Sequence, residues 1–363
     1  MTDRERFVNI LTGRPADRVP FMKIFGGTNA CLPSWEKEHP GLSQEIDKII
    51  GFEGVYRGWA TTPVNFWMTQ RGEPTVTRES DTRKILHWDD GMVQIAIDDA
   101  DFHHQTVEWP VTDRASWERF RDRHLQMDDP DRFPAEWSEL VEEYRTRTYP
   151  LQLSHGGVYG FARTVMGDEQ LCYAMVDDPE LVHDIMDTYT DKMLELWAKM
   201  TPDVEFDLVE FWEDMASKNG SLISPNMFRK FMTPNYLRVA DFAKEHGIEI
   251  LLTDSDGYTD DLAEVMIESG VTALYPFEVG AGCDPVSARE RYPTLGIVGA
   301  LAKECMIEGP VTIDPEIERA REFIKLGRMI PGPDHFVLSN VSFENYKYFM
   351  ERLREVVMNT PVG

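Results

Sequence analysis

Two acids two residues apart, Asp254 and Asp256, follow an apolar run in LLTDSDGYTDDL (Leu251 to Leu262). Side chains two apart share a face for as long as a strand lasts, so the pair would present two carboxylates on one side. The same residues also suit a solvated turn built on Asp256-Gly257. Other apolar runs end in comparable groups. Ser154, His155, Gly156 and Gly157 follow PLQL; Trp212, Glu213 and Asp214 follow FDLVEF. Phe277 and Glu278 follow ALYP, Ala300 and Lys303 follow GIVG, and Asp334 and His335 lie around the last run. Carboxylates beside an imidazole suit general acid–base work or hold a divalent ion that acts as a Lewis acid. Each residue also has a structural role open to it. His155 suits a hydrogen-bonded turn, Glu213 a cap on the helix that follows it, and Lys303 the surface. His335, with Asp334 beside it to hold one tautomer, suits base, ligand or core.

The elements that would position these groups alternate regularly. Apolar runs of strand length at PLQLS, FDLVEFW, IEILLT, VTALYPFE, TLGIVGA and HFVLS are separated by helical stretches. Among those stretches, SPNMFRKFMTPNYLRVADFAKEHG opens on Ser224-Pro225 as cap and first position, and SFENYKYFMERLREVVM closes the chain. Apolar strands alternating with helices mark a parallel sheet. With VPFMKIF as an N-terminal strand closed by Gly26-Gly27, the best fit is a single (β/α)8 TIM barrel, an α/β fold, over residues 1–363. An open doubly wound sheet is the alternative, but no GxGxxG follows a first strand. MTDRERFVNILTGRPADRVP reads as an N-terminal helix, and Asp113 or Ser116 as a cap for the helix after Pro110. Short β-like pieces over about 75–97 read as a small hairpin or meander insertion. Trp59, Phe66, Trp67, Trp88 and Trp109 crowd the first third; most should be core, and a few would line a pocket for a planar ligand.

Composition excludes several classes. With 64 Asp+Glu against 37 Lys+Arg, the chain lacks the basic surface that nucleic acid or an anionic membrane requires. No long apolar run marks a membrane span and no leader is visible, so a cytoplasmic location is the expectation. Cys31, Cys172, Cys283 and Cys305 lie far apart, with no CxxC, which fits a reducing compartment.

Taken in order, RERFVNILTGRPADRVP, YGFARTVMGDEQLCYAMVDDPELVHDIMD, EDMASKNGSLISPNMFRKFMTPNYLRV, DSDGY, YPFEVGAGCDPVSARERYP and PDHFVLSNVSFENYKYF resemble the uroporphyrinogen decarboxylase-like superfamily nearly end to end. The resemblance implies one (β/α)8 barrel with an N-terminal extension. It covers two activities, porphyrinogen decarboxylation and corrinoid-linked methyl transfer. The decarboxylases hold a polycarboxylated tetrapyrrole with an arginine-rich segment after the first strand. Here that segment is FMKIFGGTNA (Phe21 to Ala30), with Lys23 and no arginine, so the fixed guanidinium partners are missing. The thiol-directed methyltransferases bind zinc through His-x-Cys and a later cysteine. Those positions fall on Asp254, Asp256 and the neighbourhood of Pro333 and Asp334, so a thiolate-activating site is not expected.

The expectation is therefore a methyltransferase. It would move a methyl group from a small O- or N-methylated compound, such as an aryl methyl ether, to the cobalamin cobalt of a partner corrinoid protein. Asp254, Glu278 and His335 would be the acid or metal-binding group, with Glu213 and Asp256 in support. His155 and Tyr159 would line the pocket. A divalent metal, zinc for example, would sit on Asp254, Asp256, Glu278 and His335. No DxHxxG marks a corrinoid module in this chain, and a homodimer is left open. The first rival is a decarboxylase that binds a smaller carboxylated substrate through Lys23 or Arg163. The second is a non-catalytic binding protein on the same barrel.

Overall fold

The computed structural model describes residues 1–24, 31–54, 58–66, 72–78, 80, 83–97 and 104–363. Seven parallel strands form one sheet, in the order Ala60–Thr61, Leu151–His155, Leu208–Trp212, Ile250–Asp254, Ala273–Phe277, Gly296–Leu301 and Met329–Pro333. Spatial order follows chain order, with helices between successive strands from Leu151 onward, which is how a (β/α)8 barrel is wound. Strands buried on both faces read as continuous apolar runs, and Ile250–Asp254, Ala273–Phe277 and Gly296–Leu301 are buried throughout.

The eighth place differs from the expected strand. Residues 19–24 carry no regular strand, yet they span the gap between the sheet's two edges. Met22 packs against Gly58, beside the first strand, and Ile24 against Gly332 in the last. Glu53 replaces the ladder here. Its Oε2 accepts the Phe21 N–H at 3.0 Å, and its own N–H donates to the Phe21 carbonyl at 2.8 Å. Pro20 has no N–H to offer. The expected closing pair Gly26-Gly27 lies outside the described residues.

The last strand also differs. HFVLS is not a strand; Met329–Pro333, sequence MIPGP, is. Two prolines and a glycine mask it, since they normally interrupt strands. All five residues are nonetheless buried. The shift places Asp334 and His335 directly at the strand's carboxyl end.

The insertion is a four-stranded antiparallel meander, Thr75–Arg78, Arg83–His87, Val93–Ile97 and Gln105–Glu108. It runs one strand beyond the expected limit, because exposed QTVE shows little apolar alternation. Expected caps are present. Asp113 forms a capping box on Arg114–His124, and Ser224 accepts from the Met227 N–H at the start of Pro225–Phe231. The N-terminal helix Asp3–Thr12 ends at Gly13, whose left-handed φ of 73° glycine adopts without the Cβ penalty other residues meet. Among the described residues no helix is long and apolar enough to cross a membrane.

Candidate active site at the carboxyl end of the barrel

A cavity of about 400 Å³ opens inside this end of the barrel. Trp59, Phe66 and Trp212 supply aromatic walls, Glu210 and Asp254 carboxylates, and Thr61, Gln152 and Ser154 neutral polar groups. Strand periodicity explains the set. Ser154 pairs in register with Glu210, and Trp212 with Asp254. In-register partners in a parallel sheet share a face, so Gln152, Ser154, Glu210, Trp212 and Asp254 all point inward. Gln152 and Glu210 are the residues that reading only beyond strand ends overlooks. Their signal is a polar residue at period two inside an apolar run. Of the other aromatic residues, Trp109 packs on Gly167, and Trp67 lies outside the described residues.

The same parity turns His155 outward. Its ring sits against Tyr189, Trp197 and Phe211, with centroids 5.0, 5.7 and 5.1 Å away. Burial pushes it down to about 3, so it stays neutral. It borders the cavity, but its imidazole belongs to the layer between sheet and helices. Tyr159, expected to line the pocket, is buried away from it and donates to Asp168 Oδ1 at 3.2 Å.

Above the cavity lies a connected set of acids. Asp254 is the last residue of its strand and buried, whereas Asp256 lies beyond the strand end. The two do not extend one strand face, as the spacing suggested. Asp256 Oδ2 is 3.0 Å from His335 Nε2, and Glu278 Oε1 is 3.8 Å from the same nitrogen. Ligand-capable atoms of Asp256, Glu278 and His335 lie within 4.8 Å of one another, as do those of Asp214, Asp254 and Asp256. The four expected metal ligands thus divide into two triplets that share Asp256, and Asp254 joins Asp214 rather than the imidazole.

The electrostatics follow from burial and pairing. Burial pushes the Glu278 carboxyl up, partly offset by His335 and Lys303. Burial also lifts Asp214. For His335, burial favours the neutral ring. The hydrogen bond and charge of Asp256, with Glu278 beyond, outweigh it and raise the imidazole above its ordinary value. Asp256, not Asp334, therefore holds this ring. Asp334 is fully buried and accepts the N–H groups of Gly280 and Lys303 at 2.9 and 3.0 Å. Lys303 is buried rather than on the surface, with Nζ 3.6 Å from Asp334. Two carboxylates and an imidazole at Asp256, Glu278 and His335 fit a catalytic zinc site that keeps its fourth position open, or a comparable divalent ion. Among the described residues no cysteine joins either triplet.

Glu213 proves to be a cap on the preceding helix, not the following one. Fully buried, it accepts the N–H groups of Val158 and Gly160, each at 2.8 Å, and the Tyr236 hydroxyl at 2.6 Å. Burial nonetheless pushes it up to about 7. Gly157 and Gly160 allow the close approach: a Cβ on either would fall 2.1 or 1.9 Å from the Trp212 carbonyl oxygen. Arg163, on that helix, pairs with Asp214 at 2.5 Å and lies over the Trp212 ring. Lys23 donates to Asp47 at 2.6 Å. Both cations reserved for a carboxylated substrate thus have protein partners.

A parallel barrel with a polar cavity at its carboxyl end defines the class. Within that class, residues 106–356 match the family described as uroporphyrinogen decarboxylase (URO-D), and the chain belongs to it. A solved structure described as a methyltransferase from Methanosarcina mazei superposes with a TM-score of 0.62. The match covers 98% of this chain and 99% of that one at 15% identity, a likeness of fold. A second, described as a candidate vitamin-B12-independent methionine synthase from Listeria monocytogenes, reaches a TM-score of only 0.34. It is 14% identical and covers 60% of this chain and 69% of that one. No curated protein matches the chain in sequence.

Proposed function

We propose that this protein is a methyltransferase of the URO-D fold. In this reading it takes a methyl group from a small O- or N-methylated compound and delivers it to the cobalt of a partner corrinoid protein. The observation that carries the proposal is the union of an aromatic-walled cavity with a proton-holding group at its mouth. Asp254 lines the cavity and clusters with Asp256, which binds His335. Family membership and the likeness in fold to a methyltransferase support it.

The chemistry needs a proton because an alkoxide or amide leaves poorly. The donor's flat or methylated body packs against Trp59, Phe66 and Trp212, with its heteroatom toward Asp254 and Asp256. Asp256 and Glu278 favour the protonated form of His335, and Asp256, which pairs with that ring and clusters with Asp254, would relay the proton to the heteroatom. As the C–O or C–N bond breaks, its electron pair stays on the heteroatom, which takes the proton. The methyl carbon leaves for the reduced cobalt of the partner, which supplies the new bonding pair. A divalent ion held by Asp256, Glu278 and His335 would take the place of that proton, since a ligating imidazole is neutral, and would supply Lewis acidity at the heteroatom instead.

Decarboxylation is disfavoured. Among the described residues the cavity walls carry two carboxylates and no Lys or Arg, and Lys23 and Arg163 are engaged elsewhere. A purely binding role leaves the raised Glu278 and Asp214 carboxyls without a task. The test is the colour change from cobalt(I) to methylcobalt(III), with a panel of methyl ethers and methylamines, alongside metal analysis. No methylation by any donor and no bound metal would defeat the proposal. Carbon dioxide release from a carboxylated substrate would favour the rival.

A further inference from the structure

Asp256, Glu278 and His335 stand beyond three different strand ends, and a closed run of contacts ties those ends together. Asp256 follows Ile250–Asp254, Glu278 follows Ala273–Phe277, and His335 follows Met329–Pro333. Gly257, next to Asp256, donates its N–H to Glu278 Oε1 at 3.2 Å. Gly280, two residues past Glu278, donates its N–H to Asp334 Oδ2 at 2.9 Å. Asp334 precedes His335 in the chain, and the His335 Nε2 returns to Asp256 Oδ2 at 3.0 Å. The circuit also takes in a fourth strand end, that of Gly296–Leu301. Asp334 Oδ1 accepts the Lys303 N–H at 3.0 Å, and the Asp334 N–H donates to the Leu301 carbonyl at 2.8 Å.

Asp334 is the one acid of this circuit that joins neither ligand triplet. A fully buried carboxylate is costly unless its oxygens are paired. The Lys303 ammonium, at 3.6 Å, is beyond hydrogen-bond reach. The bonds that pair the Asp334 oxygens are therefore the two backbone N–H groups, and they come from two different loops. We infer that Asp334 is a positioning residue. By fastening the Glu278 loop and the Lys303 loop to the segment that carries His335, it holds Asp256, Glu278 and His335 ready for a divalent ion before the ion arrives. The inference rests on the divalent-ion form of the reading above. Asp334 acts through its neighbours and takes no part in the methyl transfer.

The test is the zinc affinity of the whole protein, titrated against a chelator. Asp334→Asn keeps the shape but turns an amide N–H toward one of the two backbone donors. Zinc should then bind at least about tenfold more weakly. Loss of a negative charge would also weaken zinc, and a double variant, Asp334→Asn with Lys303→Met, separates the two causes. It removes one charge of each sign and leaves the Lys303 backbone N–H in place, so the weakening should persist. Wild-type affinity in the double variant overturns the inference, as does undiminished affinity in Asp334→Asn. Asp207→Asn is the control. That buried carboxylate accepts the Leu151 N–H at 2.9 Å at the opposite end of the barrel. The variant should lose stability in urea yet keep its zinc affinity; an equal loss of affinity there would show general loosening and overturn the inference. Amide exchange in the wild-type protein needs no variant to fold. The Gly280 and Lys303 N–H groups should be protected without metal and exchange more slowly with zinc; exchange at open-loop rates, or no slowing, overturns the inference. The two proposals fail separately. A wild-type protein that methylates cobalt but binds no zinc defeats this inference alone. Zinc binding that depends on Asp334, without cobalt methylation by any donor, defeats the methyltransferase reading alone.

Discussion

Removing the Glu213 carboxylate should cost folding stability directly, because the group holds a helix rather than a substrate. In Glu213→Ala, the N–H groups of Val158 and Gly160 and the Tyr236 hydroxyl lose their common acceptor in a fully closed site. Each buried donor left bare costs about 1–3 kcal/mol. Solvent that enters the vacated space recovers part of the sum, so the expected loss is about 3–6 kcal/mol. That is a large share of a domain's stability. Glu213→Gln keeps the shape but turns an amide N–H toward donors, for a loss of about 1–3 kcal/mol.

The pH dependence gives an independent check. Burial outweighs the hydrogen bonds and raises the carboxyl from 4.5 to about 7. A raised value means the fold favours the protonated form. Its contribution is fully present below pH 4.5 and is lost as pH climbs through about 7. The loss is on the order of 3 kcal/mol. Glu213→Gln cannot titrate, so the stability gap between wild type and variant should narrow across that window. Urea unfolding at a series of pH values measures both effects. Glu213→Ala within about 1 kcal/mol of wild type, or a gap independent of pH, would refute the reasoning.

Three further outcomes follow from the site. Asp256→Asn removes the negative charge that helps raise His335 and keeps only a neutral acceptor, so the imidazole should titrate at lower pH; an unchanged midpoint by NMR of the ring contradicts the pairing. Equilibrium dialysis with zinc should give one ion per chain, with affinity at least about tenfold weaker in His335→Ala or Glu278→Ala; undiminished binding in both variants rules out that triplet as the metal site. Arg163→Met leaves Asp214 unpaired and unsupports the Trp212 ring, for a loss of about 1–3 kcal/mol in urea unfolding. A loss below about 0.5 kcal/mol would show that this part-exposed pair is screened.

Much of this fold was legible because it rests on local chemistry. Apolar runs such as IEILL, caps such as Asp113 and Ser224, and the stop at Gly13 each state their element within a few residues. The last strand was not legible. The Pro-Gly-Pro of MIPGP opposes local strand preference, and its place is set by burial and by Ile24, some 300 residues earlier in the chain, against Gly332. The irregular eighth segment was hidden for a similar reason. Glu53 takes the backbone groups that a strand ladder would have used.

The sequence by itself determined that acids, an imidazole and a lysine follow the barrel strands, and which family pattern they modify. Tertiary structure alone decided what each one does. Strand parity turned His155 out and Gln152, Glu210 and Asp254 in. A helix pressed on Trp212 made Glu213 a cap, and the strand's end at Asp254 sent Asp256 to His335. Sequence order records which residue follows a strand, whereas the partner of a charged side chain is chosen by distances across the sheet. Burial then amplifies each of those pairings, because a charge removed from water depends on the few groups within hydrogen-bond reach.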